Sequence, residues 1–293
     1  MNTADSVGID DDTFDAAKYA QEIGVQGYTI IPDTLSADHV RDATTAILEV
    51  YEREREVAQK VEGQTDHALG VHHLFAKHQY FEEFYLNPKV TAVCRCVLGD
   101  DMVVTETHAR SILPSSGREA KRGFQIHVDR EAFSVLPFEG GSHHYPMAVN
   151  TAWFLVDFTE DNGATVVWPG THKLNQVPDP EADLSDVPQA RAVGPAGSCV
   201  VWDAALWHAS GRNHSDHVRH SIMGFYHRKW IRGTINVEHV IPPQVLARMS
   251  PEMHRLIGLY DWPPEYSEVK QLTPEQIANL TPAERDILGF MIY

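Results

Sequence analysis

After Ser36 and again over 79–98 the apolar positions recur at helical spacing; past residue 101 they alternate or come in short β-branched bursts. Val40, Ala43, Ile47, Leu48 and Tyr51 follow Ser36 at steps of mostly three and four, predicting a helix whose N-cap is the Ser36 hydroxyl. Glu52 to Lys60 extends it as a solvated charged face. Ahead of it, Gly27 to Pro32 reads as a short strand ended by proline. Residues 79–98 form a second helical stretch, stopped at Gly99-Asp100-Asp101.

From Met102 the texture is that of strands: Met102–Leu113, Phe124–Asp129, Thr151–Phe158, Ala164–Trp168, Ser198–Asp203 and Arg219–His227. Polar loops separate them at Pro114–Gly123, Phe138–Pro146 and Lys173–Gly197, the last a proline-bearing surface excursion. Helix returns at the C-terminal end. Ser250-Pro251-Glu252, Thr273-Pro274-Glu275 and Thr281-Pro282-Ala283-Glu284 each set a capping hydroxyl before a proline suited to the first helical position. The pattern predicts one domain over 1–293, mainly β with flanking helices. Its parts are a helical segment to about 100, a sandwich or barrel core over about 101–232, and helices over 233–293. These last helices either cover the core or form a homodimer interface.

Bulk properties narrow the function. Hydrophobic residues make up 43% and charged residues 22%, an ordinary globular balance. A net charge of −17 excludes a nucleic-acid partner on electrostatic grounds. No apolar run is long enough to span a bilayer, and the acidic N-terminus has no signal-peptide core. Cys94, Cys96 and Cys199 build no disulfide framework, so the expected home is a reducing cytoplasm and the thiols are read as buried and structural.

The chemistry lies in Gln125-Ile126-His127-Val128-Asp129, taken with His208 and Arg219. Side chains two apart on a strand share a face, so His127 and Asp129 point the same way. His208, on a later strand, completes two imidazoles and one carboxylate, the facial set of non-haem iron oxygenases with open positions opposite. An isolated His-x-Asp means little among 17 histidines. His214-Ser215-Asp216 has the same spacing but sits in a turn-like run, whereas His127 and Asp129 alternate with Phe124, Ile126 and Val128. Arg219 heads a row with Ser221, Met223 and Phe225, and an inward guanidinium must find an anion.

These residues carry a family likeness. The chain resembles the phytanoyl-CoA dioxygenase-like branch of the Fe(II)/2-oxoglutarate dioxygenases from Gly27 to about Arg232. The likeness rests on Gln125 to Asp129, on Asp161-Asn162-Gly163-Ala164-Thr165-Val166-Val167-Trp168-Pro169-Gly170-Thr171-His172-Lys173, and on His208 to Ser215 ending at Arg219. It implies a double-stranded β-helix of the jelly-roll type, with iron held by His127, Asp129 and His208. It implies that Arg219 and Ser210 take the far carboxylate of 2-oxoglutarate, and that Gln125, Trp153 and Thr165 line the co-substrate pocket. O2 would be the oxidant, with succinate and CO2 as co-products. Halogenating relatives lack the carboxylate, so Asp129 implies hydroxylation of an unactivated C–H bond by default.

His172 and Asn213 match the family in structural roles; Asn162-Gly163 and Pro169-Gly170 match as turn formers. The family's substrate entrance falls on Asp66–Tyr80 and Arg130–Tyr145, which nominates His72, Arg130 and Tyr145 for a small-molecule substrate. Arg110, Arg118, Lys121 and Arg122 gather near the His-x-Asp strand and offer a place for an acidic group. Some relatives carry a lysine on the preceding strand. Here that segment reads Glu106 to Leu113, so the pocket's near end is expected to be built differently. Two readings compete: a zinc hydrolase on the same ligands, and a non-catalytic jelly-roll binding protein. No His-Glu-x-x-His helix supports the first.

Overall fold

A computed structural model describes residues 14–61, 68–115, 125–130, 144–233, 235–259 and 278–287. Helix α1 (Ala16–Gln26) was not legible in the apolar spacing. The Asp15 carboxylate caps its start, and Gly27, at φ 92°, ends it in the left-handed conformation that favours glycine. Strand β1 (Tyr28–Ile31) and helix α2 (Ala37–Val61) follow, with Ser36 Oγ accepting from His39 N at 3.2 Å. After β2 (Ala68–His72) comes a short helix α3 (Leu74–Lys77).

The stretch 79–98 is not one helix. Single 3-10 turns at Gln79–Phe81 and Phe84–Leu86 precede helix α4 (Pro88–Leu98). Pro88 has no N–H and its ring crowds the preceding turn, so a helix can start there but not pass through. Asn87 caps the new start by accepting from Val90 N.

Strand β3 (Val103–Ile112) opens the core, followed by β4 (Ala148–Phe154), β5 (Val166–Val167), β6 (Ala190–Arg191), β7 (Cys199–Asp203), β8 (His208–Ala209) and β9 (Arg219–His227). Six strands form an antiparallel sheet in the order β1-β7-β4-β9-β3-β2; β6-β5-β8 form a smaller one opposite. This is a jelly roll. Its large sheet is coated by helices on one face and turns the other toward the small sheet. Alternation along each strand divides the two faces. Val149, Trp153, Val201, Ile222 and Tyr226 join Ile23, Ile47, Phe75, Val93 and other helical residues in one core. Ala152, Phe154, Val200 and Trp202 pack inward with Phe158, Ala164, Val167 and Leu206.

The C-terminal helix Pro251–Leu256 buries Met253 and Leu256 in the helix-side core, with Ser250 capping as its sequence requires. Helix Pro282–Ile287 carries the expected capping hydroxyl at Thr281. Thr273-Pro274-Glu275 lies outside the described residues. Cys94 and Cys199 are buried, but Cys96 is exposed because it falls on the outer face of α4.

Candidate metal centre and cavity

Phe124–Asp129 does not form the expected regular strand; Phe124 lies outside the described residues and only His127 pairs, as an isolated bridge to His208. Two backbone bonds close that bridge: His127 N to His208 O at 2.9 Å and His208 N to His127 O at 3.0 Å. Asp129 N then donates to Ala204 O, and Arg130 turns away with φ at 52°. Without regular strand alternation, Ile126 and Val128 border the cavity along with His127 and Asp129.

Among the described residues, His127, Asp129 and His208 are the one group whose metal-ligating atoms converge, all within 4.8 Å of one another. His208 Nε2 stands 3.4 Å from Asp129 Oδ2. Two donors each about 2.1 Å from one ion stand roughly 3 to 3.4 Å apart, so the spacing fits a shared metal. The tautomers fit as well. His127 Nδ1 meets Gln125 O and His208 Nδ1 meets Leu206 O, both at 2.9 Å. A carbonyl only accepts, so each Nδ1 carries the proton and each neutral imidazole keeps its Nε2 lone pair for a cation.

Asp129 is held by neighbours that sequence reasoning passed over. Asn150 Nδ2 donates to its Oδ2 at 2.9 Å and Trp202 Nε1 at 3.1 Å. The available signal was a lone amide in the fully buried run Ala148–Phe154. Burial by itself would raise the Asp129 carboxyl. The imidazoles of His208 and His127 and the Asn150 amide outweigh it and hold the acid well below the usual carboxylate range. Burial works against a charged His208, but the Asp129 carboxylate prevails and raises it. His127 is lowered, first by desolvation and then by His208.

The triad opens into a cavity of about 820 Å³ between the sheets. Gln125, Thr165, Ser210 and Arg219, singled out in the sequence, all line it. Thr165 and Ser210 come together because two signature segments lean on each other. A Cβ on Gly211 would meet Ala164 O at 2.4 Å, so only glycine permits the approach, and His214 N donates to Asp161 O. Arg219 is 3% exposed, with its Cζ 4.2 Å over the Phe158 ring, which stacks on Phe154. Its Nε is buried without a partner. Burial, then Arg110, lowers this guanidinium to about 9.

Trp153 is elsewhere. It points to the helix side, fully buried against Phe84 and Tyr85, because strand parity sends Ala152 and Phe154 inward instead. Arg130 lines the cavity and forms an ion pair with Glu106. His72 lies beside His108, ring centroids 5.6 Å apart, at the sheet edge next to the cavity wall. Tyr145 is exposed under the Arg228 guanidinium and does not line the cavity. His172 is buried against His144, and Asn213 donates to Ile112 O and His217 O, both structural placements. Arg118, Lys121 and Arg122 lie outside the described residues. Arg110 is on β3, inside the cavity. The long loop after Lys173 is more than a surface excursion, since it brings Val177, Pro178 and Pro180 to the rim.

Many metalloproteins join imidazole to carboxylate, but two imidazoles and one carboxylate converging inside a jelly roll, with a buried arginine in the same cavity, form the donor set of non-haem iron enzymes that consume 2-oxoglutarate. The family model described as phytanoyl-CoA dioxygenase (PhyH) matches residues 24–221, and the chain belongs to that family of non-haem Fe(II)/2-oxoglutarate dioxygenases. It is 29% identical over 184 residues to the dioxygenase af480 of Aspergillus fumigatus, a match covering 61% of this chain and 55%, about half, of that relative's length. Its fold is similar to the carbocyclase SnoK of nogalamycin biosynthesis, with a TM-score of 0.56 and 22% identity over 80% of this chain and 90% of the other. It is likewise similar to HygX of Streptomyces hygroscopicus with nickel and 2-oxoglutarate bound. There the TM-score is 0.55 and the identity 16%, over 73% of this chain and 87% of the other. No helix among the described residues is long and apolar enough to cross a membrane.

Proposed function

We propose that this chain is a single catalytic domain that hydroxylates an unactivated C–H bond of a small metabolite or natural-product intermediate. Fe(II) would be held by His127 Nε2, Asp129 and His208 Nε2, with 2-oxoglutarate and O2 as co-substrates. The observation that carries the reading is the buried, unpartnered Arg219 guanidinium sharing a cavity with a preorganised triad. A zinc hydrolase would not need that charge, and a passive binding protein would not need the three converging metal ligands beside it. Iron bound there would activate O2, the oxidant, with one oxygen atom going to the hydroxylated product and the other to succinate as 2-oxoglutarate loses CO2.

The chain's own residues set position and environment. Asn150 and Trp202 fix the Asp129 carboxylate, and the carbonyls of Gln125 and Leu206 fix both imidazoles. Arg219, with Ser210 beside it, receives the far carboxylate, a charge-assisted contact worth about 1.5–3 kcal/mol. Gln125 and Thr165 border the co-substrate. Phe225, Met223, Ile126 and the proline rim give the substrate an apolar wall. Arg130, which lines the cavity, and His72, beside His108 of its wall, are the candidates to meet the substrate, whereas Tyr145 stands outside. The relatives' printed activities support oxidative chemistry on natural products, and Asp129 favours hydroxylation within that range. The three free cysteines support a cytoplasmic location. Anaerobic titration with Fe(II) and then 2-oxoglutarate, followed by a metabolite screen for succinate release, tests the proposal. Coupled binding and substrate-dependent succinate are expected, and their absence overturns it.

A further inference from the structure

We propose that Arg110 is a second guanidinium for the far carboxylate of 2-oxoglutarate, gripping it from β3 while Arg219 grips it from β9. The inference rests on reading the cavity as the co-substrate site. In the β3–β9 register Arg110 stands opposite Ser221, and Arg219 stands opposite Ile112. The two arginines are therefore diagonal neighbours on one face of adjoining strands, at the same end of the cavity.

Neither guanidinium has a hydrogen-bonded or ion-paired partner among the described residues, and the Nε of each is buried and unsatisfied. The acids of the cavity wall are engaged elsewhere. Glu106 is tied to Arg130 four residues back along β3, and Asp129 to His208, Asn150 and Trp202. Gly70, across from Arg110 on β2, contributes no side chain. Two cations placed together in an enclosed site repel each other: burial lowers both guanidiniums, and Arg110 lowers that of Arg219 further. One carboxylate offers about four lone-pair sites, enough for two forks. Arg219 already neutralises the far carboxylate, so Arg110 adds a surplus positive charge that favours dicarboxylic 2-oxo acids over monocarboxylic ones.

The test is calorimetric titration of the Fe(II)-loaded protein under argon with 2-oxoglutarate and, separately, with 2-oxobutyrate, which lacks the far carboxylate. Arg110→Met is expected to weaken 2-oxoglutarate about ten- to a hundredfold, roughly 1.4–2.8 kcal/mol. It should change 2-oxobutyrate less than about twofold. Arg110→Lys should recover part of the loss as a point charge. The ligand-free Arg110→Met protein should melt no lower than wild type, because an unpaired buried charge has been removed. Unchanged 2-oxoglutarate affinity, an equal loss for both acids, or a lower melting temperature overturns the inference. Should wild type and Arg219→Ala bind 2-oxoglutarate equally poorly, the co-substrate reading itself fails. If Arg219→Ala alone is impaired, only the role of Arg110 falls.

Discussion

The two faces of the large sheet treat neighbouring residues in opposite ways. On the helix side Ser111 bonds both Tyr51 and His220, at 3.0 and 2.7 Å, so polar groups satisfy one another. One residue away along each strand, Arg110 and Arg219 face the cavity with no such partner. What the helix face leaves unpaired is neutral, such as Trp153 Nε1, whereas the cavity face leaves two guanidiniums, whose charge calls for an anion. A fold can carry such a deficit only because the apolar core on the other face supplies its stability.

The strongest way to break this contrast is His208→Ala. Succinate release should drop to background and iron should no longer co-purify, as read by metal analysis. Retention of both would separate the triad from the chemistry. Next, Trp153→Ala on the helix face should cost about 3–5 kcal/mol in urea unfolding. It should leave the 2-oxoglutarate affinity of the folded protein unchanged, since Trp153 touches Phe84 and Tyr85 and not the cavity. Arg219→Met should do the reverse, raising the 2-oxoglutarate requirement by about tenfold or more while leaving the ligand-free protein at least as stable. Asn150→Ala is expected to loosen Asp129 and weaken iron binding by about 10–100-fold with little effect on melting temperature.

The last effect concerns pH and shows only in acid. His108, on the cavity face of β3, is lowered to about 3 by burial, with His72 and Arg110 adding to it. A depressed histidine favours its neutral form in the fold, so its contribution is full above the ordinary value near 6.5 and is lost as pH falls toward 3. Stability of the ligand-free protein should decline across that window. His108→Phe should flatten the decline by at most about 1.4 kcal/mol per pH unit. An unchanged slope would show that His108 is already charged in the fold.

Legibility followed the same division. Strand parity announced that Arg219, Ser221, Met223 and Phe225 share a face, and the order of His127, Asp129, His208 and Arg219 announced the class of site. Parity also contained the placement of Trp153 opposite Ala152 and Phe154, yet which face was the inner one had to be seen. The break at Pro88 was written in the chain and is enforced by the missing N–H. Asn150 as the anchor of Asp129 was not readable, because a lone amide in a buried strand has no partner within its own segment.

By itself the sequence determined the alternation of the strands, the caps and stops of most helices, and the chemical types needed for a metal and a dicarboxylate. Those are local properties, set by backbone sterics and side-chain periodicity within a few residues. Only the tertiary structure decided that Arg110 stands beside Arg219, that Trp202 steadies Asp129, and that the loop after Lys173 reaches the rim. Such neighbours lie up to more than a hundred positions apart along the chain and meet only through sheet register. No short-range pattern encodes that register.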